Sequence, residues 1–195
     1  MRSDTIKVSA SGEGMREAIH QAEAVAAFKG LPRKESLRLM LLTEEMMGLL
    51  RGLTGEVDAL FYIDDEDNDF RLHLITDTAM NSEKRKKLMD ASTSHTNEAA
   101  VGFTGKLRSF FERAFEPLDS SGLPFMDAGM SAPDDDLTGL AMTYWSLNNY
   151  REHYAVKKDT EEWDELERSI VAKVADEIRI GIKGSRVEMT IYKKF

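Results

Sequence analysis

Cysteine is absent from this 195-residue chain, which excludes disulfides, thiolate metal sites and cysteine nucleophiles together. No run of about 18 apolar residues occurs anywhere, so no membrane-spanning helix is expected. The opening residues, MRSDTIKVSASGEG, have no apolar run after their basic residue and do not resemble a secretory signal. Positive charge is in deficit as well. Lys and Arg total 26 against 35 Asp and Glu, a formal net charge of −9. Proteins that hold nucleic-acid phosphates draw most of their non-specific affinity from the opposite sign, so nucleic acid is not an expected partner. The expectation is a cytoplasmic protein with one domain over residues 1–195, long enough to bury a real core.

Methionine is plentiful at eleven residues, and its flexible thioether is best suited to filling irregular gaps in that core. Ile6, Val8 and Ala10 alternate with polar neighbours, the period of a half-buried strand. Ser11 is a candidate cap for a helix that runs to Gly30. Pro32 and its charged neighbours then open a second helix over about 34–53. Residues 56–64 and 69–76 are strand-like, and the acidic stretch between them predicts an antiparallel hairpin with a four- to six-residue loop. Residues 82–92 have a basic helical pattern, and GFTGKLRSFFERAF opens an aromatic amphipathic helix. Residues 116–136 are rich in Pro, Gly, Ser and Asp and predict a long loop. Helical patterns follow at about 137–154 and 160–176, then a closing hairpin turned by Gly184 and Ser185. Hairpins separated by bunched helices predict an α+β fold. The architecture expected is a two-layer sandwich, with helices on one face of a mixed or mostly antiparallel sheet.

One carboxylate sits oddly on the second helix. At about 100° per residue, Leu39, Leu42, Met46, Leu49, Leu50 and Leu53 form a core stripe, and Lys34, Arg38 and Glu45 a solvent strip. Glu44 falls instead among Leu37, Met40, Met47 and Gly48, so it is expected to be half buried or to face a cleft. Burial without a partner raises a carboxyl pKa, the condition for a general base near neutrality. Pairing with Arg51, or extension into water, is the alternative.

The segments LRLMLLTEEMMGLLRGL, EVDALFYID and FRLHLITDTAMN together resemble the core of the histidine-kinase-like ATPases, the Bergerat-fold superfamily. The small size most resembles its anti-sigma-factor serine kinase branch. The resemblance covers about residues 3–117, and the last hairpin resembles the closing strands of the same sheet, leaving a helical insertion at about 118–176. It implies that Glu44 polarises a substrate hydroxyl or water, and that Asp77 accepts a hydrogen bond from the adenine amino group. Gly102, Gly105 and Lys106 match a glycine box whose backbone N–H groups hold phosphate oxygens at a helix start. Departures are plain too. Gly48 stands where the family places the Asn that ligates magnesium, so an oxygen ligand is missing. The first glycine box reads Asp77-Thr78-Ala79-Met80-Asn81 without its glycines, and Asn81 replaces one of them as a residue that tolerates positive φ.

The resemblance thus implies an ATP-binding regulatory protein acting through a protein partner of the sigma-factor or anti-anti-sigma type, with a homodimer left open. If it is active, the expected chemistry is serine-protein kinase or ATPase, against which Gly48 argues. A non-catalytic interaction module that has lost nucleotide binding is the alternative. Other residues carry blander expectations. His20, His73, His95 and His153 have no helical metal-ligand spacing and are expected at the surface or in structural roles. Lys84 to Lys87 is expected to be a solvated face, and Phe110, Phe111 and Phe115 to be core. Tyr144, Trp145, Tyr150 and Tyr154 are expected to pack a helical insertion onto the sheet, with a partner surface as the alternative.

Overall fold

The alternation of Ile6 and Val8 with Lys7 and Ser9 forms the first strand, β1 (Ile6–Ser9), in a computed structural model of the chain. The structure describes residues 1–9, 11–54, 58–77, 130–134, 142–155, 169–183 and 185–195. At 50–54, 130–134, 142–143 and 153–155 the description covers the backbone alone. A tight turn leads from β1 into α1 (Met15–Phe28). There the Ser9 N–H donates to the Glu13 carbonyl, and the Gly12 N–H to the Ser9 carbonyl, both at 3.0 Å. Gly14 follows at φ +73°, and a Cβ there would lie 2.1 Å from the Lys7 carbonyl oxygen. Glycine is therefore required by both conformation and space. The cap position is Gly14, not the expected Ser11, whose hydroxyl instead shares a 2.6 Å hydrogen bond with that of Ser9. At the other end α1 stops where its glycine predicts. Gly30 takes φ +66°, and the Leu31 and Gly30 N–H groups close on the carbonyls of Ala26 and Ala27.

Helix α2 (Arg33–Thr54) starts after Pro32, whose carbonyl accepts from the N–H groups of Glu35 and Ser36. Leu39, Leu42, Met46 and Leu49 are buried, as their spacing predicts. They share a core with Ala18, Ala22 and Ala26 of α1, small side chains that let two helices approach closely. The hairpin of β2 (Asp58–Glu66) and β3 (Asp69–Asp77) is tighter than expected. Glu66 pairs with Asp69, so the loop is the two residues Asp67 and Asn68 and not four to six. Both have positive φ, 51° and 63°, the condition of a type I′ turn, which Asp and Asn tolerate.

The second half departs further from expectation. Within the expected loop, Met130–Asp134 is a strand, β4. The expected helix at 137–154 is split between strand β5 (Met142–Ser146) and helix α3 (Leu147–Ala155). Two side chains define that boundary. The Ser146 hydroxyl accepts from the Asn149 N–H at 3.1 Å, and the Glu177 carboxylate from the Asn148 N–H at 3.2 Å, so the helix N-terminus is satisfied at Leu147. Of the helix expected at 160–176, residues 160–168 lie outside the described residues, and Ser169 is the cap of a short helix α4 (Ile170–Val174). The expected helical insertion at 118–176 therefore contains two strands. The chain closes with β6 (Glu177–Lys183) and β7 (Arg186–Lys194), where the pairing of Lys183 with Arg186 leaves the expected two residues to turn.

All described strands form one sheet in the order β1-β2-β3-β7-β6-β5-β4, every neighbour antiparallel. The fold is α+β. The closing hairpin does join the sheet of the first one, beside β3. One sheet face carries Phe61, Ile63, Leu72, Leu74, Met189 and Ile191, and these lie in one core with the buried residues of all four helices. Trp145 and Tyr150, with ring centroids 6.0 Å apart, belong to that core. Their expected packing role holds, whereas the Tyr154 side chain lies outside the described residues. Arg151 ties α3 to α4, donating to the Asp176 carbonyl at 3.2 Å and to the Ala172 carbonyl.

Candidate functional site

Helix α2 and the end of β3 hold the two expected site residues that can be described. Glu44 is exposed on α2, in keeping with extension into water and not with a half-buried carboxylate. The expected surroundings separate. Met47 is buried and Leu37 is 54% exposed. Arg51 is described in its backbone alone. The neighbour Glu45, expected on the solvent strip, is the half-buried one. Burial, and then the charge of Glu44 beside it, push its carboxyl above the usual glutamate value. Thr43, which precedes these glutamates on the helix, is fully buried and donates its hydroxyl to the Leu39 carbonyl at 3.0 Å.

Gly48 lies one turn beyond Glu44, exposed, and a Cβ added there would meet nothing within 4 Å. Glycine is not demanded by packing at this point. Among the described residues, no group of three or more His, Asp or Glu is arranged to hold a metal ion. Asp77 is exposed and ends β3, opposite Arg186 in the register with β7. Asn81, Gly102, Gly105 and Lys106 lie outside the described residues, as do Lys84 to Lys87, Phe110, Phe111, Phe115 and His95.

The sheet face opposite the helices carries a second arrangement that sequence reasoning did not assemble. His73 alternates with buried Leu72 and Leu74, as its strand position predicts, and so emerges on this face. The register places Tyr62 of β2 on one side of it and Thr190 of β7 on the other. The Tyr62 and His73 rings stack 4.6 Å apart and 13° from parallel. On the far side of Tyr62, the Arg2 guanidinium lies 3.8 Å from the ring centroid. The imidazole is flanked by acceptors. Nδ1 is 3.3 Å from the Thr190 hydroxyl and 3.5 Å from Glu188. Nε2 is 3.3 Å from Asp64 but has no aligned hydrogen-bond partner. Burial lowers the His73 pKa from its ordinary value, and Arg2 adds to this, while Asp64 and Glu188 pull the other way. His73 is thus a half-buried structural histidine within a charged cluster. The signal in the sequence was alternation, which fixes the face of a residue but not its neighbours across the sheet.

Comparison with protein-family models, with curated proteins and with solved structures returns no match.

Proposed function

We propose that the chain is an ATP-binding regulatory protein that acts through a protein partner, in the manner of the anti-sigma-factor serine kinases it resembles. The observation that carries the reading is the succession of elements. A helix bearing Glu44 is followed by an antiparallel hairpin that ends at Asp77, and the closing hairpin docks beside it in one sheet. Asp77, exposed at the strand end, supplies an acceptor for an adenine amino group, and Glu44 is accessible to a partner's hydroxyl. The reading rests on these two carboxylates and on the order of the elements that carry them.

Gly48 favours a second reading, in which the fold serves as a protein-interaction module that has lost nucleotide binding. Position 48 offers no side-chain oxygen, and a Cβ added there would meet nothing within 4 Å. Calorimetric titration of the full chain with ATP, ADP and GTP, with and without magnesium, separates the two. The first reading expects saturable adenine-nucleotide binding, with GTP weaker, and about a tenfold loss or more in an Asp77→Ala variant, since a hydrogen bond to a charged acceptor is worth roughly 1.5 kcal/mol. Absence of saturable binding leaves the interaction module. Binding that Asp77→Ala does not weaken removes Asp77 from the site.

A further inference from the structure

Residues Met1–Ser3 lie along β2 as a strap separate from β1. The Asp65 N–H donates to the Met1 carbonyl at 2.8 Å, the Ser3 N–H to the Ile63 carbonyl at 2.9 Å, and the Ile63 N–H to the Ser3 hydroxyl at 2.8 Å. Between them the Arg2 backbone forms an isolated antiparallel β-bridge with that of Asp64, and the Arg2 guanidinium covers Tyr62. His73 covers the other face of the same ring and is only 12% exposed in its side chain. We propose that His73 is a proton-operated latch for this strap, which lies on β2 while the imidazole is neutral and loosens when His73 takes up a proton.

Two effects act in the same direction. A proton on His73 places a second cation behind the ring on which Arg2 rests. It also draws the carboxylate of Asp64, the residue bridged to Arg2 through the backbone and 3.3 Å from Nε2, towards the imidazolium. The other charged groups on this face do not reverse the balance. Arg71, two residues before His73 on the same strand, sits 3.3 Å from Glu66. Glu188 is beside Nδ1 on the β7 side, with Arg186 two residues before it. Tyr192 is occupied by the Arg179 guanidinium, 5.0 Å from its centroid. Because linkage is reciprocal, whatever Arg2 takes from the proton affinity of His73, a proton on His73 takes from the hold on Arg2. Loosening would uncover the N–H groups of Ile63 and Asp65 and one face of Tyr62 at the sheet edge.

The test is an NMR titration of the full chain that follows the His73 ring together with exchange protection of the Ile63 and Asp65 amides, corrected for the intrinsic effect of pH. The expected result is a fall in protection of at least about tenfold that tracks the His73 midpoint, below the ordinary histidine range. In Arg2→Gln the midpoint should rise, and in His73→Gln the step should vanish with the strap still protected at low pH. Protection that stays constant through the His73 titration overturns the latch. So does an unchanged step in His73→Gln, or a midpoint that Arg2→Gln leaves in place. The Arg2→Gln measurement decides the matter even if His73→Gln does not fold.

Discussion

Glu44 and Glu45 differ by one position on α2, and a helix turns them about 100° apart. That rotation takes Glu45 towards packed side chains while Glu44 stays exposed. The consequence can be measured. Because the Glu45 carboxyl is raised in the folded state, folding favours its protonated form, so the stability it lends is present at low pH and is lost as pH rises through the raised value. Glu45→Gln should raise the melting temperature at pH 7 by about a degree or more, and the gap should narrow towards pH 4 as the parent becomes neutral too. A gap that is the same at both pH values contradicts this account. The amphipathic pattern located both residues on the helix. Which of them enters the packed region depends on what stands against α2, and residue spacing carries no record of that.

At the scale of elements, the junction between β1 and α1 is the most constrained connection described. Gly14 has positive φ and a backbone carbonyl where a Cβ would be placed, so Gly14→Ala should destabilise the protein by about 3 kcal/mol or more. Urea unfolding at neutral pH checks this, and a loss below 1 kcal/mol would show that the turn adjusts. Helix ends and hairpin turns were partly legible from local chemistry. Gly30 ended α1 as expected, and Lys183 pairs with Arg186 at the close of the last hairpin. The cap at Gly14 was not legible, because Ser11 has the chemistry of a cap and only the position of the Lys7 carbonyl rules it out. The β2–β3 turn was misjudged for a related reason. Its acidic residues resemble loop, yet Asp64, Asp65 and Glu66 are paired strand residues. Asp65 is buried and paired with Lys29 beyond the end of α1.

At the scale of the whole molecule, the sheet joins the first and last parts of the chain. Strand β7 lies between β3 and β6, and β5 adds to β6. Trp145 on β5 is 2% exposed and belongs to the same core cluster as Leu39, Phe61 and Ile191. If that core is continuous, Trp145→Ala should cost about 3–5 kcal/mol and keep a single cooperative unfolding transition. A split into two transitions would show that β5 and α3 form a separate unit. The split of residues 137–154 into strand and helix was hidden at this scale. Thr143, Tyr144 and Trp145 suit a strand, but they form one only because β6 presents an edge, and β6 lies more than thirty residues later.

The sequence by itself determined what depends on composition and short-range period: no disulfide, an acidic surface balance, hairpins near both ends, and the apolar stripe of α2. Those are local matters, since backbone preference and side-chain periodicity act within a few residues. Only the tertiary structure decided that Glu45 is half buried and Glu44 exposed, that β5 and β4 extend the sheet, and that His73 shares Tyr62 with Arg2. Each of these depends on which surfaces meet across long separations in the chain, and burial and electrostatic interaction are properties of that meeting.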